Sequence, residues 1–230
     1  MKISIITVCY NAESEIEATI KSVIEHPLMA YIEYIIIDGG STDRTMDIIN
    51  KYKRQVSKIL SEQDDGIYDA MNKGIELATG DWILNINTGD ILINIPIEKL
   101  ESALEDYYAV AGCVDSENGI IRPLYNWIIK THNTLPHQGL FYNNRKAMMK
   151  YETYYKIVGD YNYNLKMFKE NKKVLIIEDV VAYHSLSGVS GNILSAKESY
   201  HAIKETYNYF YVFLSYIYRK CQAIKLKKYT

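Results

Sequence analysis

Four short stretches of this sequence put carboxylates where they could meet a phosphate, a metal ion or a hydroxyl proton. The first is Asp38-Gly39-Gly40-Ser41-Thr42-Asp43. An acid at the end of an apolar run can accept hydrogen bonds from a base edge or a ribose, and two glycines let the backbone approach a ligand. The same letters also read as a turn followed by a Ser-Thr-Asp helix cap. The second stretch, from Asp64 through Asp65, Gly66, Tyr68 and Asp69 to Asn72-Lys73-Gly74, gathers acids, an amide and a lysine at a loop-to-helix transition. Lys73 could meet a phosphate and Asn72 a sugar hydroxyl. Alternatively, the acids complement the helix dipole and Lys73 lies on a solvated face. The third is Asn87-Thr88-Gly89-Asp90. A carboxylate there can hold Mg2+ or Mn2+ against a pyrophosphate, because hard ions take oxygen ligands and keep waters and phosphates in their shell. Standing alone, such an Asp is an ordinary turn residue. The fourth is Asp160, which follows Gly159 and precedes an aromatic helix. It could act as a general base toward a hydroxyl, or cap the helix expected over 161–168.

These residues need a scaffold that presents strand ends. Residues 3–8 form an apolar run closed by a polar segment, after which Ile16, Ile20, Val23 and Ile24 recur at helical spacing, so strand, loop and helix are expected in turn. Residues 34–37 predict a second strand, and Met46, Ile48, Ile49 and Tyr52 a second helix. A strand near 57–61, a helix over 70–78 and a strand over 82–86 follow. Successive strand-helix units predict a parallel sheet with helices on both faces, which binds ligands beyond the carboxyl ends of its strands. The second half is less regular: short strands at 110–113, 119–122 and 174–177, loops at 135–139 and 183–188, and helix from 195 onward. No linker is visible. The change of character near residue 92 separates two lobes, 1–91 and 92–194, ahead of a 195–230 segment.

Composition narrows the function. A net charge of −2 supplies no global field for nucleic acid, although the last thirty residues are locally basic. Cys9, Cys113 and Cys221 are odd in number and widely spaced, fitting neither a disulfide framework nor a zinc site, so a reducing cytoplasm is the expected home. The amino terminus shows no export signal. Tyr10-Asn11-Ala12-Glu13 stands where a dinucleotide-binding enzyme would carry G-x-G-x-x-G, which argues against an NAD-dependent oxidoreductase. A sugar-nucleotide pyrophosphorylase would need a Gly-rich, basic first loop, also absent. The chain has 22 tyrosines against 4 phenylalanines, and such amphipathic rings suit sugar stacking or a membrane interface. In 207–218, Phe210, Val212, Phe213, Leu214 and Ile217 alternate with tyrosines, ahead of Arg219, Lys220, Lys225, Lys227 and Lys228. The run is too short and phenolic to span a bilayer, so peripheral contact through 207–228 is expected, on the inner face of the cytoplasmic membrane. The competing expectation is a helix packed on the core or on the partner in a homodimer.

Together the opening Ile5-Ile6-Thr7-Val8-Cys9-Tyr10-Asn11, the turn Ile37 to Asp43, and the run from Asp65 through Ala78-Thr79-Gly80-Asp81-Trp82 to Asp90 resemble glycosyltransferase family 2 in order and spacing. The similarity covers about residues 3–190 and is closest to the bacterial branch acting on exopolysaccharide and capsule, whose members also carry the His-Gln present here as His137-Gln138. It implies an α/β, GT-A fold: a mostly parallel central sheet flanked by helices, with a C-terminal helical extension. It also implies a nucleotide-sugar donor, UDP-sugar favoured, a Mn2+ or Mg2+ ion, and a saccharide or lipid-linked saccharide acceptor. On this resemblance Thr7, Val8, Tyr10 and Asn11 line the base pocket, and Asp38 meets the uracil or ribose. Asp65, Tyr68, Asn72, Lys73 and Asn87 complete the donor side, while His137 and Gln138 stand toward the acceptor or phosphates. Asp90 would bind the metal, His184 the metal or diphosphate, and Asp160 would be the base of an inverting transfer. The usual Asp-x-Asp-Asp is here Asn87-Thr88-Gly89-Asp90, with one carboxylate, so the diphosphate would supply much of the ion's shell. The reduced motif also admits a catalytically weak homologue acting as a partner subunit, against which the presence of both Asp90 and Asp160 argues.

Overall fold

The structure is a computed structural model and describes residues 1–146, 150–185 and 193–226. Strands β1 (Ile3–Cys9) and β2 (Ile32–Asp38) are buried along their whole length, as continuous apolar runs in a parallel sheet covered on both faces should be. Helix α1 (Ile16–Ile24) buries Ile16, Thr19, Ile20 and Val23, a stripe at three- and four-residue spacing. α2 (Thr45–Lys51), β3 (Lys58–Ser61), α3 (Ile67–Leu77) and β4 (Trp82–Asn85) complete the first half. Then come β5 (Ile91–Leu92), α4 (Ile97–Ala103), β6 (Ala109–Ser116), β7 (Leu140–Asn143), α5 (Gly159–Lys169), β8 (Val174–His184), α6 (Ile193–Thr206) and α7 (Tyr209–Leu226).

The strands form one eight-stranded sheet in the order β3-β2-β1-β4-β7-β6-β8-β5. The β3-β2-β1-β4 half is parallel, as is β6-β8, while β4-β7, β7-β6 and β8-β5 are antiparallel. The sheet therefore runs unbroken past residue 92. Period-two alternation divides its side chains between two cores: Ile3 and Ile5 face one with α1 and α4, and Ile6 and Val8 face the other with α3, α5 and α6.

Three local expectations change. Residues 119–122 form a single bridge, Val114 to Ile121, rather than a strand; Gly119 is at φ +96° and Pro123, without an N–H, stops further pairing. The last strand is far longer than 174–177, so Tyr183 and His184 end β8 instead of lying in a loop; residues 186–188 of that expected loop lie outside the described residues. Asp160 does not cap α5, since Val158 holds the cap position and Asp160 is the second helical residue.

The C-terminal helices are tied to the core. Ala202 and Ile203 of α6 are fully buried. Glu198 of α6 accepts the backbone N–H groups of Lys156, Ile157 and Val158, at 2.9, 2.9 and 3.2 Å, just before α5. On α7, Arg219 donates to Ser199 at 3.0 Å and Tyr218 stacks on His132 at 4.0 Å, while Lys130 lies over the rings of Tyr211 and of Tyr207 in the turn before the helix. The opposite face of α7 leaves Tyr209, Phe210, Phe213, Tyr216 and Ile217 exposed. Lys227 and Lys228 lie outside the described residues.

Candidate active site

A cavity of about 960 Å³ opens among the turn after β4, the start of α3, the 132–138 segment, the start of α5 and the end of β8. Three carboxylate residues line it, Glu15, Asp90 and Asp160, and the last two are buried and fixed by different elements.

Asp90 ends a tight turn in which Gly89 takes φ +90°, a conformation that favours glycine. Thr19 of α1 pins this turn, accepting from the Gly89 N–H at 3.1 Å and donating to the Asp90 carbonyl at 2.9 Å. One Asp90 carboxylate oxygen accepts the Asn87 N–H at 3.2 Å. The other lies 2.7 Å from His184 Nδ1 and accepts from Gln138 Nε2 at 3.3 Å. Gln138 Nε2 lies 2.7 Å from the same Nδ1; in the tautomer whose Nδ1–H donates to Asp90, the Nε2 lone pair of His184 is left to a ligand. No group of three or more His, Cys, Asp or Glu side chains that could hold a metal exists among the described residues. One carboxylate and one imidazole fit an ion that takes most of its shell from diphosphate oxygens and water.

Asp160 lies in the first turn of α5, where the helix dipole favours a negative charge. Tyr68 shares its hydroxyl proton between Oδ1 at 3.0 Å and the Ile157 carbonyl at 2.7 Å, Asn133 donates to Oδ2 at 2.9 Å, and His137 Nδ1 forms an ion pair with Oδ2 at 3.7 Å. Burial alone would raise the Asp160 carboxyl, but the His137 hydrogen bond and charge, the Tyr161 N–H and the Tyr68 hydroxyl together hold it below the usual carboxylate range. Burial likewise opposes charge on His137, and the neighbouring Asp160, with Asp90 behind it, raises the imidazole above its ordinary value. His137 Nε2 is 3.1 Å from Asn87 Nδ2, while the buried Asn87 Oδ1 has no partner. Turning the Asn87 amide over would let that oxygen accept the Nε2 proton of a charged His137. Asp90, Asn87, His137 and Asp160 thus form one connected row across the cavity.

Of the residues singled out in the sequence, Gly66, Tyr68, Asn87, Thr88, Gly89, Asp90, His137, Gln138, Asp160 and His184 line this cavity. The remainder lie apart from it. Thr7 is buried and donates to the Ile86 carbonyl at 2.7 Å; Val8 is buried and its carbonyl accepts Thr88 Oγ1 at 3.0 Å. Asp38, fully buried, accepts from the hydroxyls of Ser41 and Ser61 and from the N–H groups of Gly40 and Ser41. Its carboxylate therefore supports the loop from beneath. Asn11 accepts the Thr42 N–H at 2.8 Å, and Tyr10 beside it is 63% exposed. Asn72 exchanges two hydrogen bonds with the Tyr151 backbone, at 2.8 and 2.9 Å. Lys73 is paired with Glu62 and Asp69, and the Asp65 carbonyl accepts from Lys156 at 2.6 Å. Reasoning from sequence missed Asn133, His132 and Lys156, which also line the cavity. They sit in irregular segments that carry no periodic signal, and only the chain path brings them in.

The family model described as "Glycosyl transferase family 2" matches residues 4–154. A PGL/p-HBAD biosynthesis glycosyltransferase of Mycobacterium tuberculosis is 27% identical over 178 residues, 70% of this chain and 69% of that protein. Among solved structures, S. aureus TarS 1–349 in complex with UDP-GlcNAc aligns with a TM-score of 0.70 at 17% identity, covering 90% of this chain and 65% of that one. The mannosyltransferase PcManGT from Pyrobaculum calidifontis in complex with GDP-Man and Mn2+ aligns at 0.59 and 14% identity, covering 87% of this chain and 62% of that one. The chain thus spans just under two thirds of the length of these solved relatives. The architecture is the GT-A fold.

Proposed function

Because the chain belongs to glycosyl transferase family 2, we propose that it is an inverting glycosyltransferase moving a sugar from a nucleoside diphosphate donor, a UDP-sugar before others, onto an acceptor hydroxyl. The observation that carries this reading is the shared cavity of Asp160 and the Asp90–His184 pair. Asp160, held ionised, accepts the acceptor's proton as its oxygen attacks the anomeric carbon from the face opposite the departing diphosphate. Tyr68 and Asn133 fix both carboxylate oxygens during that transfer. A bound Mn2+ or Mg2+ would offset the charge developing on the diphosphate, and Asp90 and His184 are the residues that would hold it. His137 and Gln138 place hydrogen-bond donors between the two ends. Tyr10 and Asn11, on the loop that Asp38 supports, suit the base, with 1–91 as the donor lobe and 92–194 as the acceptor lobe. The ligands of the solved relatives, UDP-GlcNAc in one and GDP-Man with Mn2+ in the other, are of the class proposed.

The setting inferred is bacterial exopolysaccharide, capsule or lipopolysaccharide synthesis in the cytoplasm. No helix among the described residues is long and apolar enough to cross a membrane. The exposed aromatic face of α7, with the exposed Lys220 on the same helix, supports docking on anionic lipid. Calorimetry with UDP tests the donor assignment: binding is expected in Mn2+ and strongly weakened in EDTA or in Asp90→Asn. Equal affinity in Mn2+ and EDTA would sink the metal assignment. Thermal shift with UDP-, GDP- and dTDP-sugars then ranks the nucleotides, since tighter ligands raise the melting temperature further.

A further inference from the structure

The cavity has a second wall that a polyanionic donor cannot use. Residues 120–127 carry Ile120, Ile121, Leu124 and Trp127 at exposures of 47, 38, 46 and 59%, and Ile121 and Leu124 line the cavity itself. Exposed apolar side chains scattered singly need no explanation, but four within eight residues, two of them lining a cavity, do. The segment is held firmly. Ile121 exchanges backbone hydrogen bonds with Val114 at 3.0 and 2.7 Å, and the Leu124 N–H donates to the Thr134 carbonyl at 3.0 Å. Its apolar groups are therefore presented by a fixed backbone. A saccharide needs hydrogen-bonding side chains or flat rings, whereas the apolar side chains that line the cavity from this segment are Ile121 and Leu124, with Arg122 between them paired to Glu178 at 3.5 Å.

We propose that this wall, continuous with the catalytic cavity, is a subsite for the apolar portion of an amphiphilic acceptor, an alkyl chain or aromatic aglycone carried next to the hydroxyl that receives the sugar. The assignment rests on the transfer reading for the role of its ligand, and on the tract alone for the ligand's chemistry. Octyl β-glucoside below its micelle concentration and methyl β-glucoside are the probes. Calorimetry measures affinity, and the emission of Trp127 reports location, because the only other tryptophan, Trp82, is fully buried. The octyl compound is expected to bind saturably and at least tenfold more tightly than the methyl one, shifting Trp127 emission. A phenyl β-glucoside arm separates a flat aglycone from a chain. Ile121→Asp and Leu124→Asp should each weaken octyl binding at least tenfold, while Phe213→Asp, on the exposed face of α7, should not. Should either Asp variant melt early, Leu124→Ala is expected to weaken binding about threefold in a folded protein. Equal binding of octyl and methyl compounds, binding that survives Leu124→Asp and Leu124→Ala, or loss in Phe213→Asp alone would overturn the subsite. UDP calorimetry on the unaltered chain separates the two readings: octyl binding without UDP binding would sink the transfer reading and leave the subsite standing, and the reverse would sink the subsite alone.

Discussion

Asp160 is ionised by its neighbours rather than by solvent, and that makes its behaviour predictable. Its folded pKa lies below the ordinary value of 3.8, so the stability it contributes is present above that pH and lost as pH falls through the lower folded value. His137 is the converse, raised above 6.5, and its contribution is present below that pH and lost as pH rises through the folded value. Replacing His137 with Asn removes the charge that holds Asp160 down and leaves burial unopposed. The acid limb of kcat/KM is therefore expected to move to higher pH in His137→Asn, read from a pH-rate profile; an unmoved limb would mean that His137 does not set the ionisation of Asp160. Asp179 is paired with Lys99 and does not line the cavity, so it offers no second base there. The roles of single residues were only partly legible. Asn72 belongs to the buried stripe Tyr68, Met71, Asn72, Ile75, whose spacing already points inward, whereas nothing around Asn133 announces that it will donate to a carboxylate 27 positions away.

At the scale of elements, the alternation of apolar strand and amphipathic helix made the first half readable, because each period there reports burial directly. The second half was harder, since β6, β7 and β8 are joined by irregular connections and bulges whose partners are set by the sheet and not by local pattern. One buried acid locks the readable half. Glu33, 3% exposed, accepts from Ser4, Thr79, Lys2 and Lys58, tying β1, β2, β3 and the turn before β4. Burial opposes its charge, yet these donors drive the carboxyl far below the usual range. Its stabilisation is full above pH 4.5, the ordinary value, and fades as pH falls below it. Glu33→Ala is expected to cost about 3 kcal/mol at neutral pH, the low end for breaking a buried pair because both lysines can return to water. Urea titrations at pH 7 and pH 3 check this: the gap between variant and unaltered chain should narrow in acid, and a constant gap would contradict it. A second lock joins elements across the site. A Cβ on Gly159 would stand 2.9 Å from the Tyr68 ring, so Gly159→Ala should displace the tyrosine that holds Asp160, at about 1–3 kcal/mol of stability and with reduced turnover. Normal turnover in that variant would show that the ring contact does not position the base.

Over the whole molecule, the C-terminal helices do two things at once. The inner side of α6 and α7 holds the loop ahead of Asp160 through Glu198 and packs on His132 and Lys130, so the extension is part of the catalytic body. The outer side of α7 presents its aromatic stripe to solvent. A chain ending at Asn208 would keep α6 and Glu198 but lose the α7 contacts to His132 and Ser199 together with the aromatic stripe, which is why paired substitution of Phe210 and Phe213 by Asp is the cleaner probe. The substituted chain is expected to stay folded and to lose flotation with anionic vesicles, and flotation equal to the unaltered chain would leave packing as the helix's whole role. The central claim, that this cavity transfers glycosyl groups with Asp160 as base, is tested most directly by measuring release of UDP from a UDP-sugar in Mn2+ for the unaltered chain and for Asp160→Asn, alongside the UDP affinity of each. Release should fall about 10²-fold or more in the variant with UDP affinity nearly unchanged. No release by either protein, or equal release by both, would contradict it.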